Sequence, residues 1–369
     1  MKHDIPIASP FIDQADKKAV MQVLDSRWLS LGPRHIEFEE KFAKYLGVKY
    51  GCSVANGTCG LHVAVKALGL KAGDEVITSP FSFISSTNCL LFEGVKPVFV
   101  DVDETTYNLR PDLIEAKITK KTKAILTVDI FGQSANMKPI KALAKKYKLK
   151  ILEDACESLG STYQDQQTGS LADISVFAFY PNKQMTTGEG GMVISNSKKL
   201  IELCKSLRNQ GRDANNNWLK HVRLGFNYRL DEMSAALGIS QLDKLDWMIK
   251  QKQKIANWYS AEFINFSQVI TPQIASGNTH SWFVYVIRVP SSSRNKLINH
   301  LEKKGIQTKP YLPVIHLQPY IKKQFGFKRG DFPVAEKISS QTIALPLFIG
   351  LKKEQVKLIT EEIKNFLAP

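Results

Sequence analysis

Residues 173–191, DISVFAFYPNKQMTTGEGG, contain the combination of signals that decides how this chain is interpreted. The first eight, residues 173–180, are rich in β-branched and aromatic side chains and predict a buried strand. A proline and an asparagine end that strand, and Lys183 follows at once. Two threonines and three glycines come next, before a second predicted strand at residues 192–195. The arrangement places one amine on a loop where the backbone can approach a ligand closely.

An isolated lysine on such a loop has two interpretations. As a nucleophile it must lose its proton, which partial burial beside other cations promotes. The alternative is a surface lysine in a hairpin, and this stretch alone favours the alternative. The choice therefore depends on what the rest of the chain supplies.

Two further stretches supply the partners that a reactive lysine would need. Residues 150–158, KILEDACES, place Glu153 and Asp154 at the carboxyl end of an apolar strand, where ligand sites of α/β sheets collect. Residues 54–68, VANGTCGLHVAVKAL, predict a turn followed by a helix whose first amides favour a phosphate. A phosphate site, a carboxylate and an isolated lysine are the parts needed to hold pyridoxal phosphate.

The composition and the spacing of residues argue against several other classes of protein. The five cysteines are odd in number and show no Cys-x-x-Cys spacing, so neither a disulfide framework nor a metal site is indicated, and a reducing cytoplasm is expected. The N-terminus lacks the apolar core of a signal peptide, and no run approaches the ~18 apolar residues of a membrane helix. The net charge of +15 would suit nucleic-acid binding, but the lysines are spread along helix faces and are not interleaved with aromatics. We therefore expect neither a nucleic-acid nor a membrane partner.

The order of the predicted elements indicates two lobes, as the length of 369 residues also suggests. Strand and helix signals alternate from about residue 50 to residue 196, which is typical of an α/β unit with a mainly parallel sheet. The second half is predicted to contain a polar loop at residues 209–217, a helix at 231–247, a strand at 282–289 and helices at 295–303 and 353–366. We expect a large domain with an N-terminal arm at residues 1–245 and a small α+β domain at residues 246–369.

Several motifs occur in one order along almost the whole chain: NGTCGLH, EDACESLG, FYPNKQMTTGEGG, GFNYRLDEMSAALG and PYLPVIHLQPY. In these motifs and in their order, the chain resembles the DegT/DnrJ/EryC1/StrS family of nucleotide-sugar aminotransferases. The resemblance implies the aspartate-aminotransferase-like fold (fold type I), in which a large domain has a mainly parallel seven-stranded sheet. It also implies pyridoxal 5'-phosphate as cofactor and a homodimer with shared active sites.

The resemblance assigns three residues to the reacting end of the cofactor. Lys183 matches the family's Schiff-base lysine, which also moves a proton between the substrate and the cofactor's C4′. Asp154 matches the partner of the pyridine nitrogen, which keeps the ring able to accept electrons. Alone, this carboxylate would be equally consistent with a helix cap. Glu157 lies close to the ring where relatives often have glutamine, and this departure leaves its role open.

Other matches surround the phosphate and the ring. Gly57, Thr58 and Cys59 match the family's phosphate-binding turn, although no P-loop motif is present. Ala178 stands where relatives commonly have a serine that touches the phosphate, so one expected hydrogen bond is missing. Phe83 matches the aromatic residue that stacks on the ring, and the alternative for it is a core phenylalanine.

The remaining matches concern the subunit interface and the substrate. Asn227 matches an asparagine that reaches the phosphate of the neighbouring subunit, which would make the active site shared. Glu189, Arg229, Tyr311 and His316 are candidate substrate-binding residues. Arg229 could instead form a structural ion pair, and a lone histidine in a loop is more often structural.

The expected reaction moves an amino group from L-glutamate to a keto sugar of a nucleoside diphosphate sugar. The Gly-Glu-Gly-Gly sequence after Lys183 resembles enzymes that act at C4 of a 4-keto-6-deoxy sugar, whereas relatives acting at C3 often have an Asp-containing version. The alternatives are amination at C3, a sugar dehydratase that uses the same cofactor, and a non-enzymatic regulatory protein. Lysine at position 183 argues against the dehydratase, because such relatives carry histidine there.

Overall fold

A seven-stranded sheet forms the centre of the larger lobe in this computed structural model, which describes residues 4–213 and 220–368. Its strands are β1 (Tyr50–Val54), β2 (Glu75–Thr78), β3 (Lys96–Phe99), β4 (Thr122–Val128), β5 (Lys150–Asp154), β8 (Ile174–Ala178) and β9 (Gly191–Ser195), while β6 (Thr162–Tyr163) and β7 (Gln166–Gln167) form a separate short pair. The spatial order in the sheet is β3-β2-β4-β5-β8-β9-β1, and β9 alone runs antiparallel to the other six strands. The predicted seven-stranded, mainly parallel α/β sheet is confirmed.

Helices connect and cover these strands. In the larger lobe the helices are α1 (Gln14–Ser26), α2 (Pro33–Tyr45), α3 (Gly57–Ala67), α4 (Ser85–Leu91), α5 (Met137–Tyr147), α6 (Lys198–Arg208) and α7 (Glu232–Leu242). The beginning of α3 matches the predicted cap, because the Asn56 side chain accepts a 2.9 Å hydrogen bond from the Cys59 amide. None of the helices in the described residues is long and apolar enough to cross a membrane.

The strand that precedes Lys183 is buried because helices pack on both faces of the sheet. Phe177 points toward α2, where its ring centroid lies 5.2 Å from that of Phe42. Val176 points to the opposite face, where α3 comes so close that a Cβ on Gly60 would lie 2.7 Å from it. Burial on both faces explains why apolar and polar residues do not alternate along this strand, in which Ser175 is the single polar side chain and donates a hydrogen bond to Glu153. Packing on both faces therefore fixes the position of the strand's end, and the loop that carries Lys183 begins from that fixed point.

The smaller lobe is built on the antiparallel pair β10 (Tyr285–Arg288) and β11 (Thr342–Leu345). Its helices are α8 (Leu245–Phe263), α9 (Ser291–Lys303), α10 (Pro319–Phe325), α11 (Pro333–Gln341) and α12 (Lys353–Leu367). This mixture agrees with the predicted α+β character, and the domain limits at residues 245 and 246 stay a prediction. Of the predicted polar loop at residues 209–217, residues 214–217 lie outside the described part of the chain.

Two predicted boundaries are wrong for physical reasons. The helix expected over residues 231–247 is two helices, since α7 ends at Leu242 and α8 begins at Leu245. Between them Lys244 leaves helical geometry, and its ammonium bonds the carboxylates of Asp13 and Asp16 at 2.7 and 2.9 Å. The strand expected from residue 282 begins only at Tyr285, because Trp282 has a left-handed backbone with φ +53°.

Candidate active site

Lys183 lies in a tight turn immediately after β8, with its amide donating a 2.9 Å hydrogen bond to the Tyr180 carbonyl. Its side chain is 13% exposed. The amine lies 4.0 Å from the centroid of the Phe283 ring and 3.8 Å from Oε1 of Glu157. A lysine amine held between an aromatic face and a carboxylate is not the surface lysine of a hairpin.

Asp154 is the last residue of β5 and is 6% exposed. One of its oxygens accepts a 2.6 Å hydrogen bond from Ser86 Oγ, and the other accepts a 3.2 Å bond from the Cys156 amide. Both donors are neutral, so they orient the carboxylate without cancelling its charge. An oriented anion of this kind suits a cationic ring nitrogen.

Glu157 joins the carboxylate side of the site to the lysine. Its Oε2 accepts a 2.9 Å hydrogen bond from the Phe131 amide, while Oε1 faces the amine of Lys183. Burial raises the pKa of Glu157 above its ordinary value, although the charge of Lys183 and the amide of Phe131 oppose that shift. Glu157 is therefore a buried carboxyl group that is held by the Phe131 amide and faces the amine of Lys183.

The predicted phosphate turn forms a cradle at the beginning of α3. Thr58 Oγ1 and Ser85 Oγ are 2.7 Å apart, so the hydroxyl of Thr58 lies beside the beginning of α4. A Cβ added to Gly57 would lie 2.7 Å from Cβ of Ala178, and it would fill the space beside the turn. Because the first amides of a helix lack intrahelical acceptors, this end of α3 suits an anion. The structure thus places Ala178 directly against the turn.

Phe83 lies just before α4 and is 60% exposed, which excludes the alternative of a core phenylalanine. Its carbonyl oxygen lies 3.2 Å from Ser86 Oγ, the hydroxyl that donates to Asp154. By contrast, Phe81 in the same stretch is fully buried. The exposed ring is therefore available beside the carboxylate.

Two of the candidate substrate residues border this site. Glu189 is exposed, and its carbonyl accepts a 2.6 Å hydrogen bond from Thr187 Oγ1, which fixes the loop after Lys183. Tyr311 lies near Glu157, and its ring centroid is 5.8 Å from that of Phe131. Burial, and then the charge of Glu157, raise the pKa of the Tyr311 hydroxyl, which keeps that group protonated.

Three other candidates lie apart from the lysine in this chain. Asn227 is exposed and forms an isolated bridge with Asn209 at the end of α6. Arg229 donates a 3.0 Å hydrogen bond to the Asn209 side chain. The side chain of His316 is fully buried, and its Nε2 lies 3.0 Å from a carboxylate oxygen of Glu336, an arrangement that suits a structural histidine. The substrate role expected for His316 gains no support from this position.

Three residues at the site were not singled out from the sequence: Ser86, Phe283 and Lys252. Ser86 is one of several serines in its stretch, and nothing in the spacing distinguishes it. The ring of Phe283 comes from the smaller lobe. Lys252 lies on α8 with its ammonium 3.5 Å from the carbonyl of Lys183. The last two meet Lys183 through long-range packing, which has no local sequence signal.

Comparison with known proteins gives a consistent result. The sequence profile of the DegT/DnrJ/EryC1/StrS aminotransferase family matches residues 10–364. GDP-perosamine synthase of Escherichia coli O157:H7 is 38% identical, over 98% of both chains. The dTDP-3-amino-3,6-dideoxy-alpha-D-galactopyranose transaminase of Aneurinibacillus thermoaerophilus is 35% identical, over 95% of this chain and 94% of its own. Among solved structures, the Helicobacter pylori aminotransferase PseC, involved in pseudaminic acid biosynthesis, superposes with a TM-score of 0.93 and 30% identity over 98% of both chains.

Proposed function

The chain belongs to the DegT/DnrJ/EryC1/StrS aminotransferase family, and we propose that it transfers an amino group from L-glutamate to C4 of a 4-keto-6-deoxy sugar carried on a nucleoside diphosphate. The family assignment confirms the predicted fold, the predicted enzyme class of nucleotide-sugar aminotransferase and the predicted cofactor, pyridoxal 5'-phosphate. The observation that carries the proposal is the enclosed amine of Lys183, 3.8 Å from Glu157.

The described residues fit the cofactor at each of its polar ends. In the proposal, Lys183 provides the amine that holds the aldehyde, Asp154 faces the ring nitrogen, and the exposed ring of Phe83 covers one face. The turn at Gly57 and Thr58 receives the phosphate. When bound, the cofactor supplies an electron sink for the carbon that carries the nitrogen.

Proton movement is the task of the chain's own side chains. Lys183 would carry a proton between the substrate carbon and the cofactor's C4′, because its amine is basic and its side chain is flexible. Glu157 accepts a hydrogen bond from the Phe131 amide, so its carboxylate is held in place while the lysine moves. Enclosure by Phe283 limits water, which would otherwise compete for the proton.

The proposal for C4 is based on the loop after Lys183. Gly188 has φ +80°, and a Cβ on Gly190 would lie 2.2 Å from Thr187 Oγ1, so both positions require glycine. This shape leaves the exposed Glu189 at the mouth of the site. Family membership alone does not give the position, because one relative is named for a 3-amino sugar. Amination at C3 is therefore the second candidate.

We also propose a homodimer with shared sites. Asn227 is exposed, and the contact it makes in its own chain is a bridge with Asn209 at the end of α6 and not a contact with the turn at Gly57. An asparagine from a second copy would add a donor for the phosphate, where Ala178 supplies none. Mixing Lys183→Ala and Asn227→Ala protomers under conditions of subunit exchange should restore part of the activity. No restoration would mean that each site is built from one chain.

The function is tested with purified enzyme, L-glutamate and a panel of nucleotide 4-keto and 3-keto sugars. We expect a mass change of amination with a 4-keto substrate, nitrogen on C4 by NMR, and poor turnover of the free sugar, because the nucleotide supplies orienting binding energy. Lys183→Arg, which keeps the charge, should be inactive. Nitrogen on C3 would replace the proposal with the second candidate, and loss of a hydroxyl without nitrogen would indicate a dehydratase.

A further inference from the structure

Lys252 is a buried cation without a counter-ion among residues 4–213 and 220–368. It lies on the inner face of α8 and is 6% exposed. Its ammonium has one hydrogen-bond acceptor in the described residues, the carbonyl oxygen of Lys183, at the long distance of 3.5 Å. No described Asp or Glu side chain forms an ion pair with it. Buried ammonium groups are normally paired, so this arrangement calls for a functional explanation.

The surroundings of Lys252 offer no compensating charge. It borders a small cavity beneath the lysine loop, lined by residues 8–11 of the N-terminal arm, residues 181–186, Gln241 and Met248, and Leu347 and Ile349. Lys183 and Lys252 are the only ionisable residues in that lining. Burial, and then the charge of Lys183, lower the pKa of Lys252 to about 8. It is thus charged at pH 7 and neutral near pH 9.

The amine of Lys183 is otherwise surrounded by groups that favour its charged form. Glu157 places a carboxylate oxygen 3.8 Å away, and the face of the Phe283 ring lies 4.0 Å away. A charged amine is not nucleophilic, so these contacts work against attachment of an aldehyde. The repulsion between Lys183 and Lys252 acts in both directions, since electrostatic coupling between two sites is reciprocal.

We propose that Lys252 is a positioning residue for Lys183. Its ammonium lies beside the lysine turn, and its positive charge opposes the attraction that Glu157 and Phe283 exert on the Lys183 amine, which favours attack of that amine on an aldehyde. This role rests on the proposed function of Lys183, but it concerns the charge state of the amine and not the identity of the sugar. Lys252 itself touches neither cofactor nor substrate in this role.

The test measures how fast the full-length chain, freed of cofactor by dialysis, takes up pyridoxal phosphate at Lys183. Uptake is followed by absorbance, and the site is checked by borohydride reduction and peptide mapping. At pH 7 we expect Lys252→Met to be about tenfold slower than the wild type, because one like charge is removed from a buried pair. At pH 9 the two should agree, because Lys252 is then neutral. Lys252→Arg keeps the charge and should be as fast as the wild type at pH 7.

Control variants separate this role from a purely structural one. Lys250→Met removes a charge from the exposed side of the same helix and should leave uptake unchanged at every pH. Lys252→Gln serves as a second neutral variant if the methionine variant does not fold. Equal uptake at pH 7 by the wild type and a folded neutral variant would overturn the proposal, as would an equal loss at pH 7 and pH 9. Normal uptake without conversion of any nucleotide sugar would contradict the proposed function alone.

Discussion

Arg208 and Lys252 are equally buried cations, each 6% exposed, and their surroundings are opposite. The Arg208 guanidinium bonds the carboxylate of Glu39 and both the carbonyl and the hydroxyl of Ser53. Lys205 adds a second cation 2.7 Å from the same carboxylate. Lys252 has a single carbonyl at 3.5 Å. The charge of Arg208 is therefore paired with a carboxylate, whereas the charge of Lys252 has no described carboxylate beside it.

The difference shows how a buried charged residue can be assigned either to stabilising the fold or to serving the active site. Burial alone would raise the pKa of Glu39, but Arg208 and Lys205 outweigh burial and lower it, so the group stays ionised. This network ties α6 to α2 and β1. Lys252 ties nothing together beyond the lysine turn. A charge that is buried without compensation beside a reactive group is better explained by that group than by stability.

The largest expected effect comes from breaking the paired site. Arg208→Met leaves Glu39 buried beside an exposed lysine alone, and loss of one partner of a buried pair costs about 3–5 kcal/mol of unfolding free energy. Urea unfolding measures this loss. Lys205→Met, whose side chain is 43% exposed, should cost less than about 1 kcal/mol.

A second measurement on the same variant shows whether the pair is purely structural. Folded Arg208→Met should take up pyridoxal phosphate at Lys183 at the wild-type rate. A stable variant with slow uptake would show that Arg208 also serves the active site, and the contrast between the two cations would then fail.

The sequence predicted those parts of the site that local signals encode. The strand before Lys183, the cap at Asn56 and the carboxylate at the end of β5 each depend on neighbours within a few residues, and each is found where it was expected. The partners of Arg208 and Lys252 were not predicted, since Glu39 lies 169 positions from Arg208 and Lys183 lies 69 positions from Lys252. Burial at such separations is fixed only by the fold.

The two phenylalanines of SPFSF illustrate the same limit. Phe81 is fully buried and Phe83 is 60% exposed, although the two share one local context. The resemblance to the family assigned Phe83 to the cofactor ring, whereas the periodicity of apolar residues in the sequence could not tell Phe83 from Phe81. Resemblance was less helpful for His316, whose buried contact with Glu336 depends on α11 packing against its loop. Sequence identity at a motif does not reveal whether a side chain reaches the ligand.

The smaller expected effect concerns stability as a function of pH, and it tests the unpaired site directly. The pKa of Lys252 is lowered from 10.5 to about 8 in the folded chain. For a group with a depressed folded pKa, the folded state binds the proton less tightly, so stability is greatest above the unfolded pKa and falls as the pH drops through the folded pKa. Lys252→Met removes this penalty. Relative to the wild type, its unfolding free energy should rise by up to about 3 kcal/mol between pH 10.5 and pH 7.

Urea unfolding at pH 7, 8, 9 and 10 measures this difference for the wild type, Lys252→Met and Lys250→Met. The exposed-site variant should follow the wild type throughout, because its lysine is solvated in both states. The paired site of the wild type should contribute no such trend in this range, since Arg208 stays charged and Glu39 stays ionised. A Lys252→Met difference that is constant with pH would mean that Lys252 binds its proton equally well in the folded and unfolded states, so that burial does not lower its pKa. A difference of opposite sign would mean that Lys252 has found an anion, and the two buried cations would then belong to one class.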